Sequence, residues 1–341
     1  MTNLLLIGCY TPPMGDGRGL SVLALEQGEL RGLGLVALTE SPSFLITAGP
    51  IVYVVNEAVQ GRVTSFRYSG DTDPKAQSGS ITLQQLAVQN TGGAHPCHLA
   101  IDPSGSVLAA ANYSSGSVSL HRLDGAGGIE PAATVLQLRG SGPVSDRQEA
   151  AHAHQVVFGN GLMHVVDLGS DRIWRYELDP AALAVTEVEP WRLPAGFGPR
   201  QLVLAGADAP DAADAEDTAD AYVLGELSND LALLRGGELV SIRPAFGAPV
   251  PAGNLAATLL RLDDGRLLVS HRGADRLCLF QCAGDALELL DEFPSVAAGP
   301  RYVTDGIFVA GQLSNTVAWL AADGTVRSVA TTPTPTCVVP I

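Results

Sequence analysis

The stretch RQEAAHAHQVVF, residues 147–158, sets His152 and His154 two apart at the head of an apolar β-type run. The chain has only seven histidines in 341 residues. An imidazole titrates near neutrality and can give or take a proton in a reaction. Arginines recur in the pattern GPR, at Arg200 and Arg301. A guanidinium can grip an anion bidentately or face a developing oxyanion. Glu226 ends the otherwise apolar YVLGEL, and Arg272 follows a histidine in SHRGAD. A base and fixed cations are what hydrolytic acyl transfer requires: activated water, charge stabilised on the carbonyl oxygen, and a proton for the leaving alkoxide. Either His154 or a Glu226 of raised pKa could do the proton work. The pair HAH with Glu226 also offers a divalent-metal alternative. Each residue has a plainer reading too: a histidine bonding a neighbouring carbonyl, arginines stapling elements together, Glu226 in a structural ion pair, Asn112 and Gln312 as amides that satisfy turns.

The elements that must hold these residues are strands. Short Val, Leu and Ile runs alternate with Gly, Asp, Asn, Ser and Pro clusters, and helical periodicity is scarce. Six segments share a small or polar corner, a Gly/Asn/Asp turn and an alternating strand; NYSSGSVSLHRL (112–123) and HRGADRLCLF (271–280) are two of them. The first apolar residue after each turn is Val63, Val118, Ile173, Leu231, Leu277 and Val317. Spacings of roughly 40–50 residues with about four short strands mark propeller blades. RGLSVLALEQGEL (18–30) reads as a seventh, degenerate copy. The expectation is an all-β chain: one domain over 1–341, a seven-bladed β-propeller with four antiparallel strands per blade. Blades should start near 41, 95, 152, 198, 255 and 299. The terminal CVVPI should join LLLIGCY to close the ring and hide an edge. Strand starts and second-strand ends then meet at one mouth of the central channel. Read off blade by blade, these positions gather His98, Asn112, Tyr113, His152, His154, Arg200, Glu226, Arg272, Arg301 and Gln312, a convergent polar cleft.

Composition bounds the partners. Asp and Glu number 36 against 20 Lys and Arg, a net charge of −16, which argues against nucleic-acid and acidic-membrane surfaces. Lys75 is the only lysine. No apolar run approaches the roughly 18 residues of a membrane span. LIGC at residues 6–9 has the look of a lipid-attachment box, but no basic segment precedes it and the apolar stretch is too short for a signal. The cysteines Cys9, Cys97, Cys278, Cys282 and Cys337 are odd in number and lack zinc-type spacing. They are expected to be reduced thiols in a cytoplasmic protein. The run AGADAPDAADAEDTAD (205–220) reads as a solvated hairpin insertion, without the spacing or turn glycine of a calcium loop.

GCYT, HPCHLAIDPSGSVLAAANYSSGSVSLHRL, QEAAHAHQVVF, GPRQLVL, GELSN, SHRGADRLCLF and GPRY with VAGQLSNTVAWL occur in an order that resembles the bacterial lactonase family of seven-bladed propellers. That family holds the propeller-type 6-phosphogluconolactonases and, more distantly, carboxy-cis,cis-muconate lactonizing enzymes. The resemblance implies a hydrolase of the pentose phosphate pathway using a histidine, two arginines and a glutamate, which by motif are His154, Arg200, Glu226 and Arg272. His152, His98, Asn112, Tyr113, Arg301 and Gln312 are then candidates for contact with substrate. It implies a small anionic lactone as partner, no metal or other cofactor, and a monomer or weak homodimer. Departures are the cysteine in GCYT where the family usually has threonine, shortened turns such as VFGNGLMHVV, and the expanded blade around 205–220. Three functions compete: lactone hydrolysis, its reverse in a muconate-type cyclase, and binding without catalysis.

Overall fold

The computed structural model describes residues 3–70, 81–132, 134–205, 220–247 and 249–341. The acidic run expected as a hairpin insertion lies outside the described residues except for its two end positions. Seven four-stranded antiparallel sheets form a β-propeller. In chain order blades I to VI span 45–90, 96–137, 153–192, 199–244, 256–294 and 300–331; blade VII combines 3–38 with 335–340. Five blades begin one residue after the position expected from sequence, and the first begins at Leu45 rather than near 41. Among the described residues no helix is long and apolar enough to cross a membrane.

Burial explains why these segments are strands. The second strand of each blade is covered on both faces and is nearly continuous in apolar residues, as in Ile51–Asn56 and Val107–Asn112. The outermost strand has one solvated face and alternates, as in Ala184–Arg192. Seven buried apolar clusters lie between blades, and each draws on two neighbours: Leu99, Leu108 and Ala110 pack with Val55 and Val63, for instance. The remaining clusters continue this pairing round the ring. No blade buries its faces alone, so the sheets are stable only as a closed set. Closure is by main-chain pairing of Pro335–Pro340 with Asn3–Cys9, Leu6 opposite Val339 and Gly8 opposite Cys337. The C-terminal strand is thereby the innermost strand of blade VII. All five cysteines are unpaired thiols.

Candidate active site

One backbone bond recurs in all seven blades. The amide N–H of the residue after the second strand donates to the carbonyl of the residue two before the tip of the inner strand. The pairs are Tyr10 to Thr334, Glu57 to Ser41, Tyr113 to His95, Leu168 to His152, Glu226 to Gly198, Arg272 to Leu255 and Gln312 to Gly299, at 2.8–3.2 Å. The acceptor residue takes a left-handed φ in several blades, at Gly198 (59°) and Gly299 (63°) among them. Glycine adopts that conformation without steric cost, and the following proline needs no partner for a missing N–H. This is the physical content of GPR. The residue two beyond the acceptor is Ser43, Cys97, His154, Arg200, Ala257, Arg301 or Thr336. In six blades, all but blade I, a bulge interrupts the inner strand's register at this residue, for example between Ala153 and Gln155 and between Pro199 and Gln201. A bulge re-aims a side chain. The seven-fold repeat thus presents two rings of side chains at one mouth, and chemistry depends on which residue occupies each place.

In blades III to V these places hold charge. Glu226 is buried, 2% exposed, and carries three guanidinium groups. Arg147 Nη2 donates to Oε1 at 2.6 Å, Arg200 Nη1 donates to Oε2, and Arg272 Nη2 stands 2.9 Å from Oε2. The Arg272 contact is an ion pair without hydrogen-bond geometry, since its Nε and Nη2 have no acceptor among the described residues. Burial alone would raise the Glu226 carboxyl, but Arg272, Arg200, His154 and Arg147 together hold it well below the usual carboxylate range. A glutamate of raised pKa is therefore not what the fold provides. Burial, partly offset by Glu226, pulls the Arg272 guanidinium down to about 10. Arg200 Nε also donates to the Ala257 carbonyl at 2.7 Å, which fixes the plane of its guanidinium.

Arg200 Nη1 donates to His154 Nε2 at 2.7 Å. Burial and the Arg200 charge hold His154 well below an ordinary imidazole, so its ring is neutral. The Cys97 thiol donates to the His154 carbonyl at 3.4 Å; burial pushes that thiol far up, so it is a donor and not a nucleophile. His152 does not act on His154. The inner strand starts at Ala153, and the bulge at His154 breaks the alternation that would put both rings on one face. His152 stacks on Tyr113 with ring centroids 4.7 Å apart; its Nδ1 lies 3.1 Å from the Tyr113 carbonyl and its Nε2 3.2 Å from Glu149. Tyr113 in turn sets its ring edge to His154 and accepts from Arg147.

The other candidates sort by place. Arg301 Nη2 donates to the Tyr10 hydroxyl at 2.5 Å, and Tyr10 donates to Glu57 Oε1 at 2.9 Å. His98 sits one residue past the bulge and belongs to a row of clamps between blades. Its Nδ1 faces the Val156 N–H as Gln155 faces Leu202, Gln201 faces Leu259 and Thr258 faces Val303. It stacks on Phe44, and burial followed by the Arg200 charge brings it down to about 3. Asn112 is wholly buried under Gly93 and donates to Ser117, a turn-holding role. Gln312 occupies the repeat position of Glu226 and Arg272 in blade VI. His152 and His154 with Glu226 do not make a metal ligand set, because Glu226 is filled by cations that would repel one. Among the described residues no group of three His, Cys, Asp or Glu stands together for a metal ion. The repeat rule that finds Glu226 also finds Tyr10 and Glu57, neither of which is among the site residues expected from sequence. Arg147 lies in an irregular loop before blade III, and no periodicity points to it.

The family model for the seven-bladed β-propeller lactonases matches residues 4–340. This chain belongs to that lactonase family. Relatives include a protein named 6-phosphogluconolactonase from Formosa agariphila, 27% identical over 92% of this chain and 90% of its own. Another of the same name, from Bacillus subtilis, is 27% identical over 81% and 76%. Among solved structures, the periplasmic gluconolactonase PpgL of Pseudomonas aeruginosa superposes with a TM-score of 0.83 at 25% identity over 100% and 99% of the chains. As a lactonase-family member, the chain has its histidine, arginines and glutamate gathered at one mouth of a ring whose backbone is close to seven-fold.

Proposed function

We propose that the protein hydrolyses a sugar-acid lactone, 6-phosphogluconolactone to 6-phosphogluconate, without a metal. The observation that carries this reading is a charge imbalance. Among the described residues, four guanidinium groups at the mouth, Arg147, Arg200, Arg272 and Arg301, outnumber the carboxylates that face them, Glu226, Glu57 and the exposed Glu149 beside His152. A protein of net charge −16 has concentrated surplus cation where a phosphate or carboxylate would neutralise it. The names of its relatives support the lactone and its phosphate.

His154 is the base in this reading, since both oxygens of Glu226 are taken. Arg200 turns from His154 Nε2 to the lactone carbonyl oxygen. Nε2 then accepts a proton from water as the water oxygen bonds to the carbonyl carbon, and Arg200 stabilises the oxyanion. The oxyanion offsets the Arg200 charge that weakens His154, so the imidazole gains basicity as the reaction proceeds. Collapse of the tetrahedral intermediate breaks the ring C–O bond, and the imidazolium returns the proton to the alkoxide. Glu226 remains a carboxylate and aligns three guanidinium groups. Arg272, with N–H groups lacking an acceptor among the described residues, holds the anionic tail. Five unpaired thiols support work in a reducing compartment such as the cytoplasm. The test is acid release from a panel of phosphorylated and plain sugar lactones, above spontaneous hydrolysis, with carboxymuconate cyclisation as a further arm. Activity confined to the phosphorylated sugar lactone is the expected result; none on any member would leave a binding protein.

A further inference from the structure

A cavity of about 30 Å³ reaches from His154 and Arg200 to Ser43, Glu57, Arg301 and Thr336. Three oxygens at this end lack partners among the described residues: Ser43 Oγ, Thr336 Oγ1 and Glu57 Oε2. Ser43 is 4% exposed and Thr336 2%. Buried polar atoms are nearly always paired by protein, water or ligand, so three orphans on one cavity mark the chemistry of an occupant. A carboxylate oxygen accepts only, and hydroxyls both give and accept. The occupant must therefore offer O–H or N–H groups. Arg200 and Arg301 on the same wall disfavour an amine cation and favour hydroxyls on a neutral or anionic molecule.

We propose that this end of the channel is a hydroxyl-recognition subsite. Glu57 Oε2 accepts from a substrate hydroxyl, and Ser43 and Thr336 pair with that hydroxyl or one beside it, since the cavity admits only one or two water-sized groups. Glu57 is held for the task by Tyr10, whose hydroxyl accepts from Arg301 and donates to Glu57 Oε1. Because the cavity is continuous with His154 and Arg200, hydroxyls seated there would set the position of the carbonyl being attacked. The substrate side of the proposal rests on the lactonase reading; the binding preference does not. A site built to bond hydroxyls rejects the analogue lacking them far more strongly than an apolar pocket rejects an added one.

The test is calorimetric binding of gluconate and of hexanoate, which has the same carboxylate and chain length without hydroxyls. The wild-type protein is expected to favour gluconate by at least about 10-fold. The double variant Ser43→Ala, Thr336→Val, near-isosteric and removing no existing hydrogen bond, is expected to lose about 10-fold or more in gluconate affinity. Its hexanoate affinity and melting temperature should be unchanged. Glu57→Gln should show the same selective loss. Equal binding of the two acids by wild type, no gluconate binding, or unaltered gluconate affinity in the double variant would each overturn the subsite. The last would mean that the three oxygens bind water. Selective gluconate binding by a protein that opens no lactone would sink the lactonase reading and leave the subsite standing.

Discussion

The two halves of the channel mouth share one backbone and differ in what they carry. In blades III to V the repeat positions hold His154, Arg200, Glu226 and Arg272, locked in a dense ion network around one buried carboxylate. In blades VI, VII and I the same positions hold Arg301, Tyr10, Thr336, Glu57 and Ser43, with a single relay from Arg301 through Tyr10 to Glu57 and three oxygens left over. The backbone bond that seats each residue is the same. The ring is thus indifferent to its cargo. Under the proposed function one half is committed to charge and proton transfer and the other to recognition, with no change of fold.

The largest effects are expected from breaking the charged half. Arg200→Ala removes the proposed oxyanion donor and should lower kcat by about 10²–10³, read by initial rates corrected for spontaneous hydrolysis. Glu226→Gln leaves Arg147, Arg200 and Arg272 without their anion; kcat should fall at least about 10²-fold. Uncovering a buried partner typically costs about 3–5 kcal/mol, so its melting temperature should drop as well. An unaltered melting temperature would show that Glu226 does not hold the arginines together. His154→Ala should lower kcat by about 10²-fold or more. The wild-type pH profile sharpens the same point. His154 is held well below the ordinary imidazole value, so kcat/KM should show no acid limb near pH 6.5; an inflection there would mean that another histidine limits the rate.

Smaller effects should follow at the edges of the comparison. Arg272→Ala is expected to raise KM about 10-fold for an anionic lactone while kcat shifts by only a few-fold, a split visible in full saturation curves. Acidification tests the ring as a whole. His98 and His271 are lowered by burial to about 3 and about 4. In the unfolded chain both take up protons below about pH 6.5, whereas in the fold they stay neutral. Stability should therefore be full above pH 6.5 and fall as pH drops, by about 1.4 kcal/mol per pH unit for each until its folded value is reached. Urea midpoints at pH 7 and pH 5 would measure it.

Legibility in the sequence followed periodicity. Blade number, blade starts and the closing C-terminal strand could be read because each blade repeats its turns and apolar runs. Glu226, Arg272 and Tyr113 could be read because they follow the second strand in their blades. The same rule points to Tyr10 and Glu57. Bulges defeated simple alternation: in HPCH the residue aimed at the channel wall is Cys97, and His98 turns into the seam between blades. Arg147 was out of reach, because its loop follows no repeat.

By itself the sequence determined that the chain closes as a ring. Seven short patterns that cannot bury their own faces leave no other stable arrangement. It also determined which side chains arrive at the mouth, since position in the repeat sets height along the channel. Only the tertiary structure decided what those side chains are. A lone Glu226 could have been a base of raised pKa or an anion pinned low, and a lone His154 a charged or neutral ring. Their protonation is set by burial and by the arginines of blades IV and V and of the loop before blade III. Those distances exist only once the ring has closed.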